Sequence, residues 1–249
     1  VSSQASVPQG TGTAPVVEYL WVLPDENPDE EGTQLEVDPS SERNDIYSCV
    51  VVSDAEGKET IRDVFVDVYH PDGSKKYQMH ATKMTDPAEI EECKEDALEA
   101  GLITQSEFDD INYHIFQQPR WYMYKVYLPM YYHQPAGQYE VRGYATDSYS
   151  MISDCNSAYF DWVEGTYLEL DFETVDFGSI QPDAWKIVDG DLDMGTPSMP
   201  TLKNEGNTEI IVGVEFSEFR GVSFDKVIDR FDAQLRSMGT ENYLEIPGE

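Results

Sequence analysis

Alternation of apolar and polar positions runs through the first two thirds of the chain and predicts strands. "VVEYLWVL" (Val16 to Leu23) is rich in β-branched and aromatic residues, which fit a pleated, half-buried surface. "IYSCVVVSD" (Ile46 to Asp54) predicts a strand ended by the turn "DAEGKE". In "DVFVDVYHPDGSKKYQMHATK", Val64, Val66 and Val68 share one face by period-two spacing. Pro71-Asp72-Gly73 then supplies a turn, because proline fixes φ and glycine accepts a positive φ, so the segment reads as a hairpin. "RWYMYKVYLPM", "GQYEVRGYATD", "YFDWVEG" and "TYLELDFETVDFGSI" continue the strand pattern. "PTLKNEGNTEIIVGVEFSEFRG" predicts two strands joined at an Asn-Glu-Gly-Asn turn.

Three segments break the alternation. "PDENPDEEGTQLEVDPSSERND" is an acidic loop punctuated by proline and glycine. "TDPAEIEECKEDALEAGLITQSEFDDINYHIFQQ" is helical: Thr85 or Asp86 can cap, Pro87 suits the first turn, and acids crowd the N-terminal end where the helix dipole favours them. Gly101 stops this helix, and Thr104 or Ser106 starts a second one that runs to about Gln117. Near the C-terminus, Val227, Ile228, Phe231 and Leu235 fall on one face of a short amphipathic stretch.

Many short strands, with no βα alternation, predict an all-β fold: an Ig-like β-sandwich over residues 16–164 with a helical insertion at about 85–118. A boundary near Glu164-Gly165 leaves residues 165–249 for a second, smaller β domain, short for a complete sandwich. Residues 1–15 read as a flexible or strand-donating N-terminal arm.

Charge changes the picture next. The chain carries 49 acidic and 16 basic residues, a net charge of −33. A chain this charged stays unfolded unless it also has aromatic and apolar residues to bury; 16 tyrosines and 40 % hydrophobic residues supply them. Such a surface suits high salt, where the Debye length is about 3 Å at 1 M, divalent cations held at carboxylates, or a plain solubility coat. It opposes nucleic acid and anionic lipid, which need lysine and arginine. No apolar run is long enough to span a bilayer. The small, uncharged start "VSSQASVPQGTGTAP" is like the N-terminus left after removal of a leader. Cys49, Cys93 and Cys155 contain no CxxC, so they allow either one disulfide with a spare thiol or three reduced thiols, and give no metal signature.

Catalytic motifs are absent. There is no G-x-S-x-G, P-loop, G-x-G-x-x-G or H-E-x-x-H, and the expectation is that the chain is not an enzyme. The candidate chemistry is cation binding, with calcium as the expected ion. Asp25, Glu26 and Asp29 cluster in the acidic loop, and Asp147 ends a strand at the loops. "DGDLDMG" places Asp189, Asp191 and Asp193 in alternation, but it lacks the glycine and glutamate positions of an EF-hand, and the aspartates also suit their own turn backbone. The run "WYMYKVYLPMYY" offers an aromatic partner surface at Trp121, Tyr122, Tyr124 and Tyr127, for sugar or a neighbouring subunit. The competing reading is a strand buried on both sides by the helical insertion.

Two segments carry a resemblance. "AGQYEVRGYATDSYSMISD" resembles the penultimate strand and turn of extracellular Ig-like domains, including cadherin-like and PKD-like modules, with Gly137, Tyr139, Ala145 and Asp147 at the G-x-Y and A-x-D positions. "VDFGSIQPDAWKIVDGDLDMGTPSMPTLKNEGNTEI" is similar to secreted archaeal and bacterial surface domains at Asp176, Phe177, Gly178, Ile180, Pro182, Leu202, Asn204, Gly206 and Asn207. With the acidity, the chain most resembles a cell-surface protein of a methanogenic or halophilic archaeon. That resemblance implies an extracellular structural surface or filament subunit that self-assembles, with an adhesin or carbohydrate-binding module as the alternative.

Overall fold

The computed structural model describes residues 12–39, 43, 45–179, 186–191 and 193–213, together with the backbone of four short strands between 219 and 245. The chain forms two compact units. One ends at Tyr167 and takes back Glu205–Thr208, and the other contains Leu168–Asn204 and Glu209–Glu249.

The first unit is a β-sandwich with a helical layer on one side. β1 (Val16–Leu23), β2 (Thr33–Leu35), β3 (Tyr47–Ser53), β4 (Ile61–Tyr69), β5 (Lys75–His80), β6 (Thr82–Lys83), β7 (Trp121–Tyr127), β8 (Gly137–Asp147) and β9 (Asn156–Trp162) form two sheets. The inner sheet has the order β1-β3-β7-β6 and the outer sheet β2-β9-β8-β4-β5. Every pairing is antiparallel except β2 with β9, where Thr33 lies beside Phe160 and Leu35 beside Trp162. The sequence pattern assigns Thr33–Leu35 to a loop, since three residues are too few to show alternation.

Period-two spacing fixes which side chains meet. Val64, Val66, Val68, Tyr139, Val141, Phe160 and Trp162 turn inward from the outer sheet and meet Val22, Val50, Val52, Tyr124 and Val126 from the inner one. Tyr139 and Phe160 stack with ring centroids 5.1 Å apart, and the Tyr139 hydroxyl donates to the Pro135 carbonyl at 2.8 Å. The opposite face of the inner sheet carries Trp21, Leu23, Cys49, Val51, Trp121 and Met123, and it is buried as well, beneath two helices. A sheet covered on both faces cannot alternate, which is why β3 reads as the unbroken run "CVVV".

The helical layer consists of α1 (Pro87–Glu99), α2 (Gln105–Asn112) and a π-helical turn, Tyr113–Gln117. Asp86 caps α1 by accepting from the Ala88 amide at 2.9 Å. Ile90, Cys93, Lys94 and Ala97, spaced by three, one and three residues, are its buried side. Gly101 ends it with φ +70°, a conformation that favours glycine. A capping box starts α2: the Glu107 amide donates to Thr104 Oγ1 at 3.3 Å, and the Thr104 amide donates to Glu107 Oε2 at 2.7 Å. Lys94 is fully buried, yet its ammonium meets Glu91 at 2.8 Å and Asn112 at 3.2 Å and lies over the Phe108 ring. A disulfide joins Cys49 of β3 to Cys93 of α1 and ties this layer to the sheet; Cys155 is free and exposed.

β1 is the free edge of the inner sheet, and side chains from the other sheet reach its carbonyls. Asn156 Nδ2 donates to Val17 O at 3.2 Å, and Thr33 Oγ1 donates to Val22 O at 2.9 Å. Such contacts blunt an edge that would otherwise accept another strand. The opposite edge, β6, has only two residues.

In the second unit β10 (Leu168–Leu170) pairs antiparallel with β11 (Leu202–Asn204), and two short antiparallel pairs follow: β12 (Phe219–Arg220) with β13 (Val227–Ile228), and β14 (Gln234–Arg236) with β15 (Tyr243–Glu245). Two expectations change here. The strand at Leu202–Asn204 pairs with β10 across 31 residues of intervening chain rather than closing a local hairpin at Asn204–Asn207, and Ile211 is fully exposed outside any strand. The backbone at Val227–Ile228 and Gln234–Arg236 is extended, so the apolar spacing there does not mark a helix; Phe231 lies outside the described residues. Residues 1–11 of the expected N-terminal arm, and Ile180 and Pro182 of the surface-domain pattern, lie outside them too.

The disulfide closes a loop with a sequence separation of 44 residues between a core strand and the helical layer. Loop-closure entropy predicts that a Cys49→Ala, Cys93→Ala variant is less stable by about 4 kcal/mol. Urea unfolding of the variant, compared with the oxidised parent, measures that difference, and an unchanged midpoint would show that the bond constrains nothing.

Candidate functional site

The expected cation ligands are distributed over both units. Asp25 follows β1 and accepts from the Gln34 amide at 2.9 Å and the Asn27 amide at 3.3 Å through Oδ1, while its Oδ2 is buried without a hydrogen-bond partner. It lines a groove of about 450 Å³ with Leu23, Pro24, Pro28, Asp96, Glu99 and Ala100. Glu26 is committed elsewhere: it pairs with Arg43 at 2.9 Å and accepts from the Glu36 amide. Arg43 also holds Asp45, whose carboxyl lies below the usual aspartate range because of that guanidinium. Asp29 is exposed.

Asp147 is buried, and its Oδ1 accepts from the Tyr149 and Met151 amides at 2.9 and 2.7 Å. It ends β8 at the end of the sandwich where β1 begins: Asn156, at the start of β9, bonds Val17 and pairs with Gly143. Asp25 lies two residues past the last residue of β1, Leu23, so the strand's length, about 25 Å, separates the two aspartates. They cannot share an ion within one copy. In the second unit the "DGDLDMG" aspartates close their own turn: the Asp193 amide donates to Asp191 Oδ1 at 3.0 Å, and the Gly195 amide to Asp193 Oδ1 at 2.9 Å. Asp189 is exposed. Among the described residues no group of three His, Cys, Asp or Glu side chains is arranged to hold a metal ion.

The aromatic run fares differently from a continuous platform. β7 is an interior strand between β3 and β6, so burial claims both of its faces. Trp121 and Met123 lie under the helices, and Tyr124 is in the inter-sheet core. Tyr122 and Tyr127 reach the surface on opposite faces, Tyr127 with half of its area exposed. Burial pushes the Tyr122 hydroxyl up to about 12, helped by its hydrogen bond to Glu59.

A coherent exposed face lies instead on the outer sheet. The positions that alternate with its core valines lie on the face turned away from the core: Asp63, Phe65, Tyr69 and the largely covered Asp67 from β4, Glu140, Arg142 and Tyr144 from β8, Ser157 and Tyr159 from β9, and Gln78 and His80 from β5. Register brings them into rows. Phe65 sits between Tyr144, stacked at 5.4 Å, and His80, edge-on at 5.2 Å. The Arg142 guanidinium lies 4.4 Å over the Tyr69 ring and grips Glu140 in a two-pronged pair at 2.7 and 2.8 Å. Ser157 Oγ donates to the same carboxylate at 3.1 Å, with the Tyr159 hydroxyl at 3.5 Å. Gln78 Nε2 donates to Asp67 at 3.0 Å and to the Tyr144 hydroxyl at 2.6 Å, while Lys75 pairs with Asp67 at 2.8 Å. Tyr159 keeps half of its area exposed.

Nothing in this set is arranged as a nucleophile and base. Its chemistry is that of a contact surface: flat rings that lose little entropy when covered, and polar groups already held in place by one another. No protein-family model matches the chain, and no curated protein matches it. The face therefore has to be read from its own geometry. The period-two spacing that places Val64, Val66 and Val68 of "DVFVDVY" on one face also places Asp63, Phe65, Asp67 and Tyr69 on the other, and this is the signal in the sequence that marks the outward face.

Arg142 holds the Glu140 carboxyl below its ordinary value. A lowered folded-state value means that the pair's contribution is complete above the ordinary glutamate value of about 4.3 and is lost as the pH falls through the depressed one. A ¹³C NMR titration of Glu140 should give a midpoint below about 4.3, and Arg142→Gln should return it to the ordinary range. Identical midpoints in the two proteins would show that the pair does not form in solution.

Proposed function

We propose that this chain is an extracellular structural subunit of a cell surface or filament, acting through protein–protein assembly. The observation that carries the proposal is the aromatic and arginine-bearing face of the outer sheet. Tyrosine, phenylalanine and arginine are the residues that concentrate binding energy at interfaces, and here they stand on a five-stranded sheet rather than on a loop. The Cys49–Cys93 disulfide supports an oxidising compartment, since such bonds persist outside the cytosol. The net charge of −33 supports a setting rich in salt or divalent cations, which let like-charged copies approach. In this reading calcium acts at surface carboxylates such as those of the Asp25 loop and lowers repulsion between copies.

A second reading, an adhesin or carbohydrate-binding module, is favoured by one feature of the same face. The stacked Phe65 and Tyr144 rings lie beside the amide of Gln78 and the carboxylates of Asp67 and Glu140, a pairing of flat apolar surface with hydrogen-bonding groups that suits a sugar ring.

Sedimentation velocity of the full chain tests the first reading. In about 1 M NaCl, where the Debye length is about 3 Å, or in millimolar calcium, the parent should form oligomers that a Tyr159→Glu, Tyr144→Ser variant does not form at the same concentration. A parent that stays monomeric under all conditions sinks the assembly reading, and saturable binding to a glycan array lost in the same variant would favour the second.

A further inference from the structure

Near β6 the helical layer leaves a cleft open against the inner sheet. It has a volume of about 270 Å³, and its apolar lining includes Met84, Ile90, Phe116, Trp121 and Met123. Lys58 and Lys83 line it as well, beside Tyr122. Both ammonium groups rest on that ring: Lys83 Nζ is 3.0 Å and Lys58 Nζ 4.4 Å from its centroid. Two like charges therefore converge on one side chain.

That convergence is unusual for this composition. Acids outnumber bases 49 to 16, and Arg43, Arg62, Lys75, Lys94 and Arg142 each form an ion pair with a carboxylate. Lys58 and Lys83 form none among the described residues. The nearby carboxylate, Glu59, instead accepts the Tyr122 hydroxyl. Burial holds the Lys83 amine below its ordinary value; Glu59 pulls against it, and the neighbouring Lys58 adds a smaller downward push. Two unpaired cations at the mouth of an apolar cleft are the complement of a molecule with one anionic end and one apolar body.

We propose that this cleft binds a small organic carboxylate with a flat or branched apolar body. The body enters between Ile90, Phe116, Trp121 and Met123, and the carboxylate meets Lys58 and Lys83. The volume admits a single-ring molecule. A carboxylate takes the lysines in preference to a sugar hydroxyl because each amine offers a full charge with three donors. The site is separate from the outer-sheet face and stands whether or not the chain assembles.

Methionine-methyl NMR reads the cleft directly, because Met84 and Met123 line it. Titration with 4-methylbenzoate should shift both signals saturably, whereas neutral 4-methylbenzamide and the hydrophilic anions glucuronate and phosphate should not. Lys58→Gln and Lys83→Gln should each weaken the benzoate about fivefold, the size expected of one partly exposed ion pair. Lys83→Arg should keep most of the affinity, and Glu59→Gln should strengthen it by removing a competing carboxylate. The proposal fails if benzamide binds as well as benzoate, if phosphate or glucuronate shifts the same signals equally, if both lysine variants bind like the parent, or if no shift saturates. An unshifted Cys93 environment in the variants, read from α1 amide signals, confirms that a loss is not unfolding.

Discussion

Burial of the inner sheet on both faces is the constraint on which the rest of the first unit depends. Its strands β1, β3 and β7 send alternate side chains to the inter-sheet core and to the helical layer, so neither side can be removed without exposing large apolar residues. Trp121 and Met123 would face water without α1 and α2, and the disulfide at Cys49 anchors that cover to the strand beneath it. The helices are therefore part of the core rather than an appendage. Their amphipathic sides, buried at Ile90, Cys93, Ala97 and Ile111, have no other surface in this unit to meet.

This arrangement also decides which surfaces are free to act. With both faces of the inner sheet occupied, the broad sheet surface left to solvent among the described residues of the first unit is the outer face of β9, β8, β4 and β5. Its aromatic side chains are held by contacts that run across the strands, Arg142 of β8 over Tyr69 of β4 and Gln78 of β5 with Asp67 and Tyr144. The cross-strand spacing of a sheet makes such rows automatic once the register is set. The cleft over Tyr122 has the opposite origin. It exists because helices packed on a sheet do not fill the corner beside β6, which is only two residues long.

Charge acts on a different level. The net charge of −33 does not choose the fold, and few of the acids are buried; Asp54, Asp67 and Asp147 are the buried carboxylates among the described residues. What the imbalance does is make every cation informative. A paired arginine such as Arg43 neutralises its surroundings locally, whereas Lys58 and Lys83 share one tyrosine ring and form no ion pair among the described residues.

The sequence by itself determined most of the strands of the first unit, the hairpin at Pro71-Asp72-Gly73 and the position of the helices, because period-two alternation and capping residues are local signals. The doubly buried reading of β7 was also within its reach, since neither alternating face of "WYMYKVY" is polar. It left the use of the cysteines open, because pairing depends on which helix face meets which strand. Only the tertiary structure decided that Cys49 meets Cys93, that Asp25 and Asp147 stand at opposite ends of one sandwich, and that three residues at Thr33–Leu35 form a parallel strand beside β9. It likewise decided that Leu202–Asn204 pairs with β10 instead of its neighbours, and that Phe65, Tyr144 and Arg142 share one face. Each of these rests on register between segments distant in the chain, and a hydrophobic pattern records which side of a strand is buried but not which strand lies beside it.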